Sequence, residues 1–134
     1  MFCALHPDRL VRVEDVSSAY GISKAHLLKA ARQLGQLGYL DNVRGRAGGI
    51  RLSMAPNKIV IGEVVRHTEG NLELVECFNP DTNTCPLIGV CKLSNLFRAG
   101  LRAFLAELDK VTIEDIISDR RKLLSRLGNL DARS

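Results

Sequence analysis

The chain has 134 residues, 46% of them apolar and 25% charged, with a net charge of +4 and no Trp. These are the proportions of one globular domain, or of a small domain with an extension, and its core must be built from aliphatic side chains because aromatics supply only 4%. No apolar run reaches the roughly 18 residues of a membrane span and no signal peptide is visible, so the sequence predicts no membrane partner and a cytoplasmic, reducing setting in which the four cysteines serve as thiols.

Charge is uneven along the chain. Residues 1–58 hold nine Lys and Arg against four Asp and Glu, and residues 59–134 hold ten against eleven. All the excess positive charge lies in the first half, which points to a polyanion bound there.

Residues 1–6 are apolar and stop at Pro7, as the last turn of a helix whose beginning is missing. Val13, Val16, Ala19 and Tyr20 recur at helical spacing and predict a helix over 13–20. Gly21 ends it, and Ser23 is placed to cap a second helix whose core face is Leu27, Leu28, Ala31, Leu34 and Leu37. Helix, glycine turn and a second helix with a polar start form the helix-turn-helix pattern, in which the first residues of the second helix touch base edges. The segments 39–43 and 50–53 read as short strands around the tip Arg44-Gly45-Arg46-Ala47-Gly48-Gly49, a β-wing whose arginines can enter a minor groove or clamp phosphates. Arg51 on the returning strand is counted with them as a DNA contact. The glycine spacings of phosphate-binding loops are absent.

The second half opens with a short helix over 59–67, closed by Gly70-Asn71, and an extended run over 72–76. Cys77, Cys85 and Cys91 follow with the spacing C-x7-C-x5-C, separated by Asn, Asp, Pro, Thr and Gly, which favour turns. Turns let three sulfurs converge, and soft thiolates suit an iron–sulfur cluster, zinc or Cu(I); the cluster is the central expectation. The rival is a zinc-stabilised DNA-binding protein in which His67 completes a Cys3His site. No C-x-x-C pair and no nucleophile–base set occurs, so no enzyme is expected. Leu93, Phe97, Leu101, Phe104 and Leu108 then step by three and four residues along an uninterrupted helix over 92–109, a stripe suited to dimerisation. Thr112 with Asp115 opens a last helix over 113–126, on which Arg120-Arg121-Lys122 reads as a solvated face, and a frayed tail is expected over 128–134. The expected fold class is mainly α with a small β-wing: a winged helix-turn-helix over 1–58, and a cluster-binding loop with a long dimerisation helix over 59–134.

The stretches Ala19-Tyr20-Gly21-Ile22-Ser23, Val43 to Leu52, Ile61 to Arg66 and Leu74-Val75-Glu76-Cys77-Phe78, together with the run from Cys85-Pro86 through Cys91-Lys92-Leu93 to Asp109, resemble the bacterial iron–sulfur winged-helix repressors. Within these the resemblance is to the NsrR-like, nitric-oxide-sensitive branch, and it covers residues 1–118. It implies a homodimer bound to a double-stranded DNA operator, with nitric oxide as signal and Cys77, Cys85 and Cys91 holding a 2Fe-2S or 4Fe-4S cluster. It also implies that Ser23, Lys24, Ala25, His26 and Lys29 face the major groove and that Arg44 and Arg46 reach the minor groove or its phosphates. In the IscR-like regulators of cluster status a His three residues after the last Cys is the fourth ligand; here that position is Ser94. In NsrR-like proteins a carboxylate in the first helix of the partner completes the site, and no residue of this sequence matches it, since Asp8 lies after that helix. An iron-responsive regulator of the RirA type shares the layout and is the alternative role.

Overall fold

A computed structural model describes residues 1–128. Seven helices and a two-stranded sheet occur among them: α1 (Phe2–Leu5), α2 (Val13–Tyr20), α3 (Lys24–Gln36), β1 (Leu40–Val43), β2 (Gly49–Leu52), α4 (Ile61–Glu69), α5 (Lys92–Asp109), α6 (Ile113–Ile116) and α7 (Arg120–Gly128). The expected class, mainly helical with a small β-wing, is the one observed. None of the described helices is long and apolar enough to cross a membrane. The tail expected from residue 128 falls, from 129 onward, outside the described residues.

By packing, the chain divides into two units, one of Met1–Val60 with the segment from Thr112, the other of Ile61–Val111. The sequence division at 58 assigns the last segment to the second half; in the structure it packs with the first.

In the first unit the core is aliphatic, as the shortage of aromatics requires. Leu5 and Val11 are fully buried, with Ala4, Ala31, Tyr39, Ile59 and Ile113 around them. Gly21 takes a left-handed conformation at φ 65° and lets the chain reverse between α2 and α3. The Ser17 hydroxyl fixes that turn by donating to Ile22 O at 2.7 Å. Ser23 occupies the cap position of α3 as expected, but its side chain makes no capping hydrogen bond. The strands pair antiparallel, Leu40 opposite Leu52 and Val43 opposite Gly49, and Val11 bridges Ile50 on the other side of β2. Asn42 joins this sheet to α3 by donating to Ala31 O at 3.1 Å.

The last segment departs from expectation in two ways. The single helix expected over 113–126 breaks into α6 and α7, with residues 117–119 between them. Thr112 and Asp115 do form the reciprocal cap that starts α6. Arg120 is not part of a merely solvated face: its guanidinium donates to Ala4 O and Leu5 O, carbonyls that the four-residue α1 cannot satisfy internally. A side chain 115 residues away therefore supplies partners that local sequence does not.

In the second unit α4 packs on α5. Arg66 makes a two-pronged ion pair with Asp109 at 2.5 and 2.8 Å. Gly62 sits beneath that pair, where any Cβ would overlap Asp109 Oδ1. The run over 72–76 is irregular rather than a strand, and ends in a 3-10 turn over Glu76–Phe78.

Candidate DNA-binding cleft and cysteine cavity

The first unit carries an open cleft of about 770 Å3 between the start of α3 and the β1–β2 hairpin. Three of the expected DNA contacts, Lys24, Arg44 and Arg46, line it. Ser23, Ala25, His26 and Lys29 are exposed on the first turns of α3 outside its walls. Arg51 is engaged across the hairpin with Asp41 at 3.3 Å. Lys24 is paired with Glu14, so the cleft holds one carboxylate as well as its cations. The pairing keeps Glu14 below the usual glutamate range, chiefly through the Lys24 hydrogen bond.

Sequence reasoning missed two cations of the cleft, Arg12 and Arg32. Arg32 follows Lys24 and Leu28 at intervals of four, so helical spacing alone could have placed it on the same wall. Arg12 precedes α2, and no pattern in the sequence brings it beside the wing. The hairpin tip has steric reasons for its glycines: Gly45 is at φ 104°, and a Cβ at Gly48 would overlap Val43 O. The tip can therefore place Arg44 and Arg46 close to a backbone such as that of DNA.

The second unit brings the three cysteines to one place. Cys77, Cys85 and Cys91 are half-buried free thiols that line a cavity of about 280 Å3 together with Leu87, Ile88, Gly89, Ser94, Asn95 and Arg98. The loop that carries them is drawn together by a clip immediately before two of the cysteines. Glu76 accepts hydrogen bonds from Thr84 N at 2.8 Å and Thr84 Oγ1 at 2.7 Å. These bonds, the hydroxyl first, hold the Glu76 carboxyl below its usual range. Asn79 and Asn83 tighten the turns inside the clip by accepting from the N–H two residues on.

The third cysteine sits where α5 begins. Cys91 is the residue before its first turn and its side chain makes no capping bond. The cavity therefore lies at a helix N-terminus, where unpaired N–H groups and the macrodipole favour negative charge. Ser94 and Arg98 follow on the same face. The Cys77 thiol donates to Ser94 Oγ at 3.3 Å, and the same hydroxyl is placed to donate once that sulfur is a thiolate.

The donor set fits an iron–sulfur cluster. Three thiol sulfurs, donors soft enough for iron or zinc, line one cavity, and among the described residues no group of three or more His, Cys, Asp or Glu is placed to hold a metal ion. Thiolates serve a single zinc ion, at about 2.3 Å from each sulfur, as well as an iron–sulfur cluster, in which they are spread over several irons. His67, the fourth ligand of the zinc alternative, lies on α4 and does not line the cavity. Cys3 is buried in the other unit, where desolvation raises its pKa.

A helix-turn-helix with a basic wing defines the first unit as a DNA-binding domain of the winged-helix class. The sequence matches the Rrf2 family, described as iron-dependent transcriptional regulators, over residues 1–119, and the chain belongs to that family. It is 49% identical over 121 residues to the HTH-type transcriptional regulator NsrR of Bacillus licheniformis, covering 88% of this chain and 85% of that one. It is 44% identical over 124 residues to the NsrR of Bacillus subtilis, covering 92% and 85%. Among solved structures it resembles IscR of T. potens, with a TM-score of 0.68 at 22% identity over 87% of this chain and 76% of that one. It also resembles CymR, the global cysteine regulator of B. subtilis, with a TM-score of 0.66 at 21% identity over 87% and 84%. The fold is thus that of a transcriptional regulator, and the relatives are named as regulators rather than enzymes.

Proposed function

We propose that the chain is a cytoplasmic, homodimeric repressor whose operator binding is controlled by an iron–sulfur cluster that senses nitric oxide. The observation that carries this reading is the convergence of Cys77, Cys85 and Cys91 on one cavity at the start of α5. The 44–49% identity to two regulators named NsrR supports it.

In this reading the two units divide the work. The first residues of α3, from Ser23 to Lys29, enter the major groove, while Arg44 and Arg46 at the wing tip meet the minor groove or its phosphates. Arg12 and Arg32 add to the positive lining of the cleft. Cys77, Cys85 and Cys91 hold the cluster and so cross-link a loop otherwise ordered by the Glu76–Thr84 clip. When bound, the cluster supplies iron that reacts with small diatomic ligands. The chain offers three cysteines there and no fourth protein thiol, so one position is left to a weaker ligand.

Dimerisation fits the far side of α5. Leu93, Leu96, Phe97 and Phe104 are exposed, and Gly100 between them faces open space. A two-fold partner would bury this face, as two-fold interfaces are self-complementary. The cysteine loop runs directly into α5, so its order bears on the arrangement of that helix in the dimer. The switch is then a population shift: the cross-linked loop favours the DNA-competent dimer, and its release removes that preference.

The test is anaerobic purification with measurement of iron, sulfide and visible absorbance, followed by operator binding before and after exposure to nitric oxide. A colourless protein lacking iron and sulfide removes the cluster. A loaded protein that holds its operator equally well after exposure removes the sensing role. The second reading is an iron-responsive regulator, favoured by the description of the family as iron-dependent; iron limitation rather than nitric oxide would then release the operator.

A further inference from the structure

We propose that Arg98 is a positioning residue of the cysteine cavity, which fixes the Cys77 segment and holds a positive charge beside Cys77. The inference rests on reading that cavity as the cluster site and assigns a role to a residue outside the ligand set.

Three contacts meet in this side chain. Its Nη2 donates to Cys77 O at 3.1 Å, across 21 residues of sequence. Its guanidinium lies over the Phe78 ring, 4.4 Å from the centroid, a cation–π arrangement that holds the group in one place. It also lines the cavity beside Cys77, Cys85 and Cys91. The Cys77 end of the loop is thereby tied to α5 one turn beyond Ser94, the hydroxyl that meets the Cys77 sulfur.

The geometry has a mechanical and an electrostatic consequence. The loop leaves Cys77, runs out to the clip at Thr84 and returns to Cys91. The clip joins its first half to itself, whereas Arg98 joins Cys77 to the helix that carries Cys91. Without it the hydrogen bond that ties Cys77 O to α5 is lost, and the Cys77–Ser94 contact remains. The guanidinium is moreover always charged and planar, and a cluster on thiolates is anionic, increasingly so when reduced. A cation held 3.1 Å from Cys77 O, in the residue that carries the first sulfur, therefore favours the reduced state. Lysine would preserve the charge but not the planar stacking on Phe78 or the directed bond to Cys77 O.

The experiment compares wild-type protein with Arg98→Met and Arg98→Lys. After anaerobic loading with iron and sulfide, the reduction potential of the group is measured by dye-mediated titration. In the metal-free protein, the rate of proteolytic cleavage within 79–90 is measured as a readout independent of loading. Arg98→Met is expected to lower the potential by about 59 mV, the equivalent of a tenfold change for one electron, and to speed cleavage several-fold. Arg98→Lys is expected to restore most of the potential while cleavage stays fast. Equal potentials and equal cleavage in wild type and Arg98→Met overturn the proposal, as does a potential that Lys fails to restore while Met leaves cleavage unchanged. If wild-type protein takes up no iron or sulfide, the reading of the cavity has failed; cleavage of Arg98→Met no faster than wild type then overturns the positioning role on its own.

Discussion

Truncating Leu96 to alanine tests the proposed dimer directly, because this residue has little to do within its own protomer. It is 66% exposed on α5. Full burial of a leucine contributes about 1.5–3 kcal/mol, so roughly two-thirds of that, about 1–2 kcal/mol, remains to be gained against a partner. A two-fold interface contains the residue twice, which raises the loss to about 2–4 kcal/mol as an upper bound, since alanine keeps one carbon. At 1.4 kcal/mol per tenfold, Leu96→Ala should weaken the dimer by at most about one and a half to three orders of magnitude. Sedimentation equilibrium over a dilution series reads this change. The protomer should fold as before, because exposed substitutions generally change stability by no more than about 0.5 kcal/mol. A wild-type protein that is monomeric at micromolar concentration, or a variant with an unchanged dissociation constant, refutes the assignment of this face. Leu101, Leu105 and Leu108 are half-buried, so replacing them confounds dimerisation with folding.

Four further outcomes are expected. Arg46→Ala should weaken operator binding and, by removing one phosphate contact, flatten the slope of log affinity against log salt by about 0.9; anisotropy titrations at several salt concentrations check both. Single replacement of Cys77, Cys85 or Cys91 by Ala should reduce bound iron and sulfide, and full retention in all three variants would remove them as ligands. Gly62→Ala should push the Asp109 carboxylate aside and weaken its exposed pair with Arg66, a slight loss of stability read as a small drop in thermal midpoint; an unchanged midpoint would show that the pair gives way at no cost. The Glu76 carboxyl is held below its ordinary value by Thr84, so the clip contributes fully above that ordinary value of about 4.3 and is lost as pH falls through the lowered folded-state value. Amide exchange of Thr84 should therefore lose protection on acidification, and Glu76→Gln should abolish that pH dependence.

The elements legible in the sequence are those set by local pattern. α2, α5 and the hairpin follow from helical spacing, from an unbroken stripe without proline, and from glycines around two arginines. What the sequence left unread depends on distant partners. Arg120 looked solvated because its acceptors, Ala4 O and Leu5 O, belong to a helix at the opposite end of the chain. The break between α6 and α7 carries no glycine or proline to announce it. The stripe on α5 was read as one face, yet the structure leaves Leu93, Leu96, Phe97 and Phe104 exposed and half-buries Leu101, Leu105 and Leu108. A single apolar band on a long helix does not say how its width divides between an internal neighbour and a partner. At the cysteine site the three sulfurs were legible from spacing, while the clip was not: Glu76 and Thr84 are ordinary polar residues until the turns between them bring them together.

That clip bears on whether the loop can act as a switch. A loop held by apolar burial would remain ordered whatever it binds, and nothing could be signalled through it. Here the apolar residues between the second and third cysteines are outside the core, with Val90 77% exposed and Leu87 and Ile88 more than half exposed. The loop's first half is held instead by a few exposed polar contacts, the Glu76 bonds and that of Arg98, each of which competes with water, and the stretch before Cys91 by the backbone turn in which Leu87 O accepts from Val90 N and Cys91 N. Segments with few buried apolar contacts are the ones that open at low free energy. The polar contacts bring the three cysteines to one cavity, and they leave the balance between ordered and open loop within reach of the proposed cross-links through their thiolates. Replacing Leu87, Ile88 and Val90 with polar residues should accordingly leave the metal-free loop no more mobile in amide exchange. Replacing Thr84 with Val should loosen it. If the apolar changes alone release the loop, burial holds it, and the switch must lie elsewhere in the chain.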